Sequence, residues 1–205
     1  MSARIMKIGI VRHFKVEEHT TKYWMSAQQF SEWVDHYNRA SIEENTMITA
    51  SDWDCCYSSD MDRALQTTER LYQGKPVITP HLREIDIKPL FQTRLKLHLN
   101  MWLFLGRAGW IFNHPSQESR SLTSNRANHI LNEIEEGYKG RNVLIVTHGA
   151  FMMVLRKALI ERGYIGDRFY KPENGRVYIF KKEKGVYDGE NRRTFAGAWD
   201  HTAES

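Results

Sequence analysis

Arg12 and His13 stand at the end of the apolar run Ile8-Gly9-Ile10-Val11, and His148 closes a second run, Val143-Leu144-Ile145-Val146-Thr147. Arg63 follows a third stretch, Trp53 to Tyr57, after the turn-forming Ser58-Ser59-Asp60. Two guanidiniums are fixed forks matched to phosphate oxygens, and a helix starting near Asp60 would add backbone N–H donors and partial positive charge. Together these residues make a pocket for a phosphoryl group. A neutral imidazole inside it becomes a nucleophile once its other ring nitrogen donates to a backbone carbonyl and fixes the tautomer. His13, directly on its strand end, is better placed for that role. His148 would then hydrogen-bond the phosphoryl oxygens and, if protonated, offset charge in the transition state.

A departing oxygen needs a proton. Glu84, in the polar cluster His81-Leu82-Arg83-Glu84-Ile85-Asp86, is the nearest candidate, with Asp86 as fallback. It would protonate the leaving oxygen and later deprotonate the attacking water. The scheme calls for no metal or other cofactor. Two strand-end histidines with carboxylates nearby also suit a metal ion, but the arginines would repel a cation, and no His-x-His or Glu-x-x-His spacing is present. Taken singly, each residue has a plainer reading: a strand-end histidine is more often a satisfied structural group, and Arg63 alone could be a surface cation.

The elements that must position these residues follow from hydrophobic pattern. The two histidine runs read as buried parallel strands whose carboxyl ends share one crevice. Gly149 leads into a helix from Ala150 to about Glu161. Met61 to Leu71 reads as an amphipathic helix carrying Arg63 in its first turn, capped by Ser58-Ser59-Asp60. Ser26-Ala27-Gln28-Gln29 is a capping box before Phe30, Trp33, Val34 and Tyr37, a stripe read as core. Pro76-Val77-Ile78-Thr79-Pro80 reads as a short strand near a sheet edge. Ser121 to about Tyr138 reads as a long helix burying Leu122, Ile130, Leu131 and Ile134, and Arg176 to Lys181 as an alternating strand. Lys181-Lys182-Glu183-Lys184 is the densest basic run, placed at the end of an edge strand. The apolar segment Ile87 to His114 reads as a helical insertion over the crevice or, about equally, as core packed elsewhere. These elements make one α/β domain of three layers, residues 1–185, with a mostly parallel sheet between helices. Residues 186–205 read as a polar tail, partly disordered.

The 205 residues and 41% hydrophobic content suit a single core. No window approaches a membrane span, and Met1-Ser2-Ala3-Arg4 runs into a strand without a leader-like apolar region, so the expectation is a cytoplasmic protein without a membrane partner. The adjacent Cys55 and Cys56 would alternate faces of one strand and stay unlinked. Net charge is +4, and neither a groove-reading helix nor an RNA-stacking pattern is present, so specific nucleic-acid binding is not expected. A small phosphorylated substrate explains localised arginines better.

Arg12-His13 after an apolar strand, Ser58-Ser59-Asp60-Met61-Asp62-Arg63-Ala64-Leu65-Gln66-Thr67-Thr68, Leu82-Arg83-Glu84 and Thr147-His148-Gly149, in this order, resemble the histidine phosphatase superfamily, also called the phosphoglycerate mutase-like family. The resemblance runs from about Lys7 to Phe180. It implies that fold, a phosphorylated His13, phosphoryl binding by Arg12, Arg63 and His148, and proton donation by Glu84. Gln117-Glu118-Ser119 with Arg126 also resembles a family segment, and Glu118 is given a structural role first. Phe14 replaces the glycine usual after the nucleophile, so its ring could narrow the mouth or stack on substrate. The chain lacks the longer segment with which a mutase of this family holds a bisphosphate and is closer in length to its small phosphatases. The expected activity is therefore metal-independent phosphomonoester hydrolysis through a phosphohistidine. A noncatalytic phospho-ligand or partner-binding module and a phosphoglycerate mutase are the alternatives.

Overall fold

The computed structural model describes residues 5–17, 20, 22–43 and 53–182. In chain order the elements are β1 (Lys7–Arg12), β2 (Trp24–Met25), α1 (Ala27–Arg39), β3 (Cys55–Ser59), α2 (Asp62–Leu71), β4 (Val77–Thr79), β5 (Leu97–His98), α3 (Leu99–Ile111), α4 (Arg120–Gly137), β6 (Asn142–Thr147), α5 (Gly149–Glu161), β7 (Tyr164–Gly166) and β8 (Val177–Lys182). A six-stranded sheet has the order β4-β3-β6-β1-β8-β7, and β2 and β5 form a separate two-stranded ribbon. The pairs β4–β3, β3–β6 and β6–β1 are parallel, while β8 is antiparallel to both its neighbours. This is a single α/β domain with a mostly parallel central sheet.

Strands β1 and β6 are apolar without alternation because both faces are covered. Ile8, Ile10, Tyr57, Val143 and Ile145 pack towards α4 and α5. Val11, Cys56, Leu144 and Val146 face the opposite side with Ala64 and Leu71 of α2. The alternation that divides these sets also sends Cys55 and Cys56 to opposite faces, where both are buried free thiols. A third cluster, Met25, Ala27, Phe30, Leu99 and Trp102, joins α1, α3 and the β2–β5 ribbon. Parallel register sets Arg12 opposite Thr147, so His13 and His148 leave adjacent strands at the same end of the sheet.

Several local expectations are corrected. Ser58 and Ser59 continue β3 and do not form a turn, and α2 starts after Met61 with no side-chain cap. The capping side chains are otherwise engaged: Ser59 Oγ meets His148, and the Asp60 carboxylate accepts two hydrogen bonds from Arg83, at 2.7 and 2.6 Å. Strand β8 is interior, because the unforeseen β7 pairs outside it, and Lys182 there meets Glu135 at 3.1 Å. The three residues of β7 follow Gly163 and end on Gly166, too short for an alternation signal. Leu122, expected in the core, is 54% exposed near the start of α4. The Phe14 ring is 1% exposed and packs with Val11, Ile42 and Ala64, so it neither narrows the mouth nor meets a ligand. Glu183, Lys184, the 186–205 tail and residues 18, 19 and 21 of the Phe14 to Met25 loop lie outside the described residues. Among the described residues, no helix is long and apolar enough to cross a membrane.

Candidate active site

The imidazole of His13 is 2% exposed. Its Nδ1 lies 2.6 Å from the Phe14 carbonyl, which makes Nδ1–H the donor and leaves the lone pair on Nε2. Arg63 Nε donates to that Nε2 at 3.2 Å. Burial, and then the Arg63 cation, lower the His13 pKa from 6.5 to about 3, so the ring is neutral at physiological pH. Its backbone is pinned on three sides: His13 N–H donates to Thr147 O at 2.9 Å, Asn174 Nδ2 donates to His13 O at 2.7 Å, and Phe14 N–H donates to Thr67 Oγ1 at 2.9 Å.

Arg63, on the first turn of α2, is 1% exposed, and burial lowers its pKa. Its Nη1 donates to Asn38 Oδ1 at 3.1 Å, and its guanidinium lies 5.4 Å from the Tyr37 ring centre. Both contacts come from α1, which holds the fork beside His13. Arg12 Nη1 donates to Pro172 O at 3.2 Å, while its buried Nε has no partner among the described residues. A Cβ on Gly149 would stand 3.2 Å from that Nε, so the glycine opens the space in which Arg12 passes the start of α5.

His148 is fully buried beside His13, with ring centres 5.1 Å apart. Burial, then the Arg63 cation, hold its pKa well below the ordinary histidine range. The ring is therefore neutral at physiological pH. Its Nε2 is 2.9 Å from Ser59 Oγ, and its buried Nδ1 has no partner among the described residues.

Glu84 meets the first turn of α5. Its Oε1 accepts the N–H of Ile85 at 2.9 Å and of Phe151 at 3.1 Å, and its Oε2 accepts Ala150 N–H at 3.2 Å. Arg107 approaches Oε2 at 3.6 Å and donates to Ile85 O at 3.2 Å. The loop carrying Glu84 is anchored by Arg126, which donates to the carbonyls of His81 and Arg83, both at 3.0 Å. Arg126 in turn forms a two-pronged pair with Glu118 at 2.8 and 2.9 Å, in keeping with a structural role for Glu118. Lys15 pairs with Glu43 at 2.6 Å.

Arg12, His13, Arg63, Glu84 and Asp86 line one cleft of about 270 Å³, and His148 sits beneath its floor beside His13. The remaining wall is Trp33, Val34, Tyr37, Asn38 and Met61 on one side and Ile85, Ile87, Leu103 and Arg107 on the other. The 87–114 segment therefore does reach the crevice, through Leu103 and Arg107 of α3. The α1 stripe is divided: Phe30 is core, whereas Trp33, Val34 and Tyr37 face the cleft. Sequence reasoning missed this wall, because helical spacing marks an apolar face without saying whether protein or ligand covers it. It also missed Asn38 and Arg107, polar residues whose only signal is three-dimensional. Among the described residues, no group of three or more His, Cys, Asp or Glu side chains is placed to hold a metal ion.

A family model, the histidine phosphatase superfamily (branch 1), matches residues 10–188. No curated protein sequence matches the chain. Among solved structures, a phosphoglycerate mutase from Bacillus anthracis str. Sterne is similar with a TM-score of 0.57 at 20% identity, covering 86% of this chain and 88% of its own. A putative alpha-ribazole-5'-P phosphatase from Escherichia coli str. K-12 is similar with a TM-score of 0.56 at 15% identity, covering 85% of this chain and 89% of its own. At these identities the structures speak for the fold alone. The family match spans most of the chain and takes in both histidine strands, Arg63 and Glu84, and on that match the protein belongs to the histidine phosphatase superfamily, branch 1.

Proposed function

We propose that the protein is a metal-independent phosphatase that hydrolyses a small phosphomonoester through a phosphohistidine on His13. The observation that carries this reading is the state of His13: buried, neutral, its tautomer fixed by the Phe14 carbonyl, with Nε2 against Arg63. In the first step Nε2 attacks phosphorus and the bond to the ester oxygen breaks, with that oxygen taking a proton from the Glu84 carboxyl. In the second, water attacks the phosphorus, Glu84 takes the water proton, and the P–N bond breaks to return a neutral imidazole and release phosphate. Arg63 moves its N–H from Nε2 to a phosphoryl oxygen as the ester enters, and Arg12 Nε, which has no partner among the described residues, supplies a second donor. Ser59 Oγ accepts the Met61 N–H at 3.3 Å, so its hydroxyl proton can go to His148 Nε2, leaving an Nδ1–H for another phosphoryl oxygen.

The binding-module alternative drew on a Phe14 ring at the mouth, and that ring is in the core. A mutase needs cations for a second anionic group, and Arg107, the one other cation lining the described cleft, is already engaged by Glu84 and Ile85 O. Hydrolysis is therefore favoured over either. The test is turnover of an aryl phosphate in a metal chelator, with phosphoenzyme trapped by rapid acid-free quenching. His13→Ala is expected to lose on the order of 10³-fold or more in kcat and all phosphoenzyme. Undiminished turnover by His13→Ala removes the proposed nucleophile.

A further inference from the structure

Away from the phosphoryl pocket, aromatic and aliphatic side chains make up much of the cleft wall. Tyr37, Trp33, Phe30 and Trp102 form a continuous aromatic ladder, with ring centres 5.3, 6.2 and 5.5 Å apart in turn and each pair near-parallel. The ladder runs from the Arg63 guanidinium to the buried Trp102 of α3. Its upper half, Tyr37 and Trp33, faces the cleft, opposite Leu103 and Ile87. The Trp33 indole N–H donates to Thr20 Oγ1 at 2.9 Å, so the polar atom of that ring is already used and only its carbon surface remains for a ligand. The Trp102 N–H is likewise taken, by Met25 O at 2.8 Å, which fixes the ladder from below.

The charges available to a leaving group reinforce this. Arg107 is held by Glu84 and the Ile85 carbonyl, Asn38 Oδ1 is held by Arg63, and the exposed carboxylate at the rim, Asp86, would repel a second anion. A carboxylate or a second phosphate would lose water here while facing Asp86 and finding Arg107 already engaged. A flat or branched hydrocarbon would gain the area of the wall.

We propose that this site selects monoesters of uncharged aromatic or apolar alcohols, whose ring or chain lies between Trp33–Tyr37 on α1 and Leu103 on α3. The inference rests on the phosphatase reading and names its substrate class. Trp33, Tyr37 and Leu103 are specificity-determining residues that touch the leaving group and leave the phosphorus to His13 and the arginines.

The experiment compares 2-phenylethyl phosphate, glycerol 3-phosphate and phosphoserine, primary alkyl esters with leaving oxygens of similar basicity, so that wall contact and not intrinsic reactivity sets the ratio. The expected kcat/KM is about 10- to 100-fold higher for the phenylethyl ester than for either other, expressed mainly in KM. Leu103→Asn, at a half-exposed position, and Trp33→Ala should each shrink that ratio about tenfold by weakening the phenylethyl ester more. Turnover of all three esters at similar kcat/KM, or a ratio unmoved in Leu103→Asn, overturns the inference while leaving the phosphatase reading intact. If no ester is turned over, the phosphatase reading fails. Calorimetric binding of the three esters then decides the inference alone, with preferential binding of the phenylethyl ester supporting it and equal binding overturning it.

Discussion

At the inner end of the cleft, polar atoms are fixed mostly by backbone: His13 by Phe14 O, Arg12 by Pro172 O, and Glu84 by the N–H of Ile85 and two N–H groups at the start of α5. At the outer end the walls are side chains of two helices, Trp33 and Tyr37 on α1 and Leu103 on α3, which touch through their own aromatic and aliphatic packing. Backbone-held groups keep their geometry whatever ligand arrives, which suits chemistry on a group common to many substrates. Helix-borne apolar walls change shape with each substitution, which suits discrimination among leaving groups. On the proposed reading, reaction and selection fall at opposite ends of one cleft.

The sharpest way to break that division is at Arg63. Arg63→Lys keeps the charge but loses the fork that reaches His13 Nε2 and Asn38 together, and should lower kcat/KM by about 10²- to 10³-fold. The loss should be the same for phenylethyl and glycerol esters, because both present the same phosphoryl group. A loss confined to one ester would show that the two ends are not separate.

Glu84 tests the boundary between them. Glu84→Gln retains an oxygen to accept the Ala150 and Phe151 N–H groups but has no acid proton, so we expect a loss of about 10²-fold for alkyl esters and a much smaller one for an aryl ester. Glu84→Ala should in addition cost about 1–2 kcal/mol of stability by uncapping α5. Equal losses for alkyl and aryl esters in Glu84→Gln would assign the proton to another group, with Asp86 the first to try.

The smallest effect concerns stability. Because His13 titrates at about 3 in the folded chain and near 6.5 when unfolded, between these values the unfolded state holds a proton that the folded state does not. Stability from this group is therefore complete above pH 6.5 and falls with acidity, by about 2 kcal/mol between pH 7 and pH 5. His148 acts in the same direction. Urea unfolding at the two pH values, with His13→Gln as the control, measures it. A variant whose stability changes with pH as steeply as that of the parent chain would contradict a neutral, buried His13.

The inner end was legible in sequence because each of its residues follows a local rule. A buried strand ends at Arg12-His13, another at His148, and a helix start carries Arg63, and each signal is complete within about ten residues. One local rule that misled concerned the cap of α2, since Ser59 and Asp60 are good cap residues that tertiary partners, His148 and Arg83, took for other uses. Phe14 misled for a related reason. Its backbone N–H serves the site through Thr67 while its ring turns into the second core, and sequence does not report which way a side chain leaves a strand end.

The strands that end at Arg12-His13 and at His148, and the helices between them, follow from the chain alone, because hydrophobic period acts over short separations. Only the tertiary structure decided that Trp33 and Tyr37 face a cleft while Phe30 faces the core, that Arg107 is engaged with Glu84, and that both site histidines are neutral. Those outcomes depend on desolvation and on contacts between residues tens of positions apart, which no local pattern encodes.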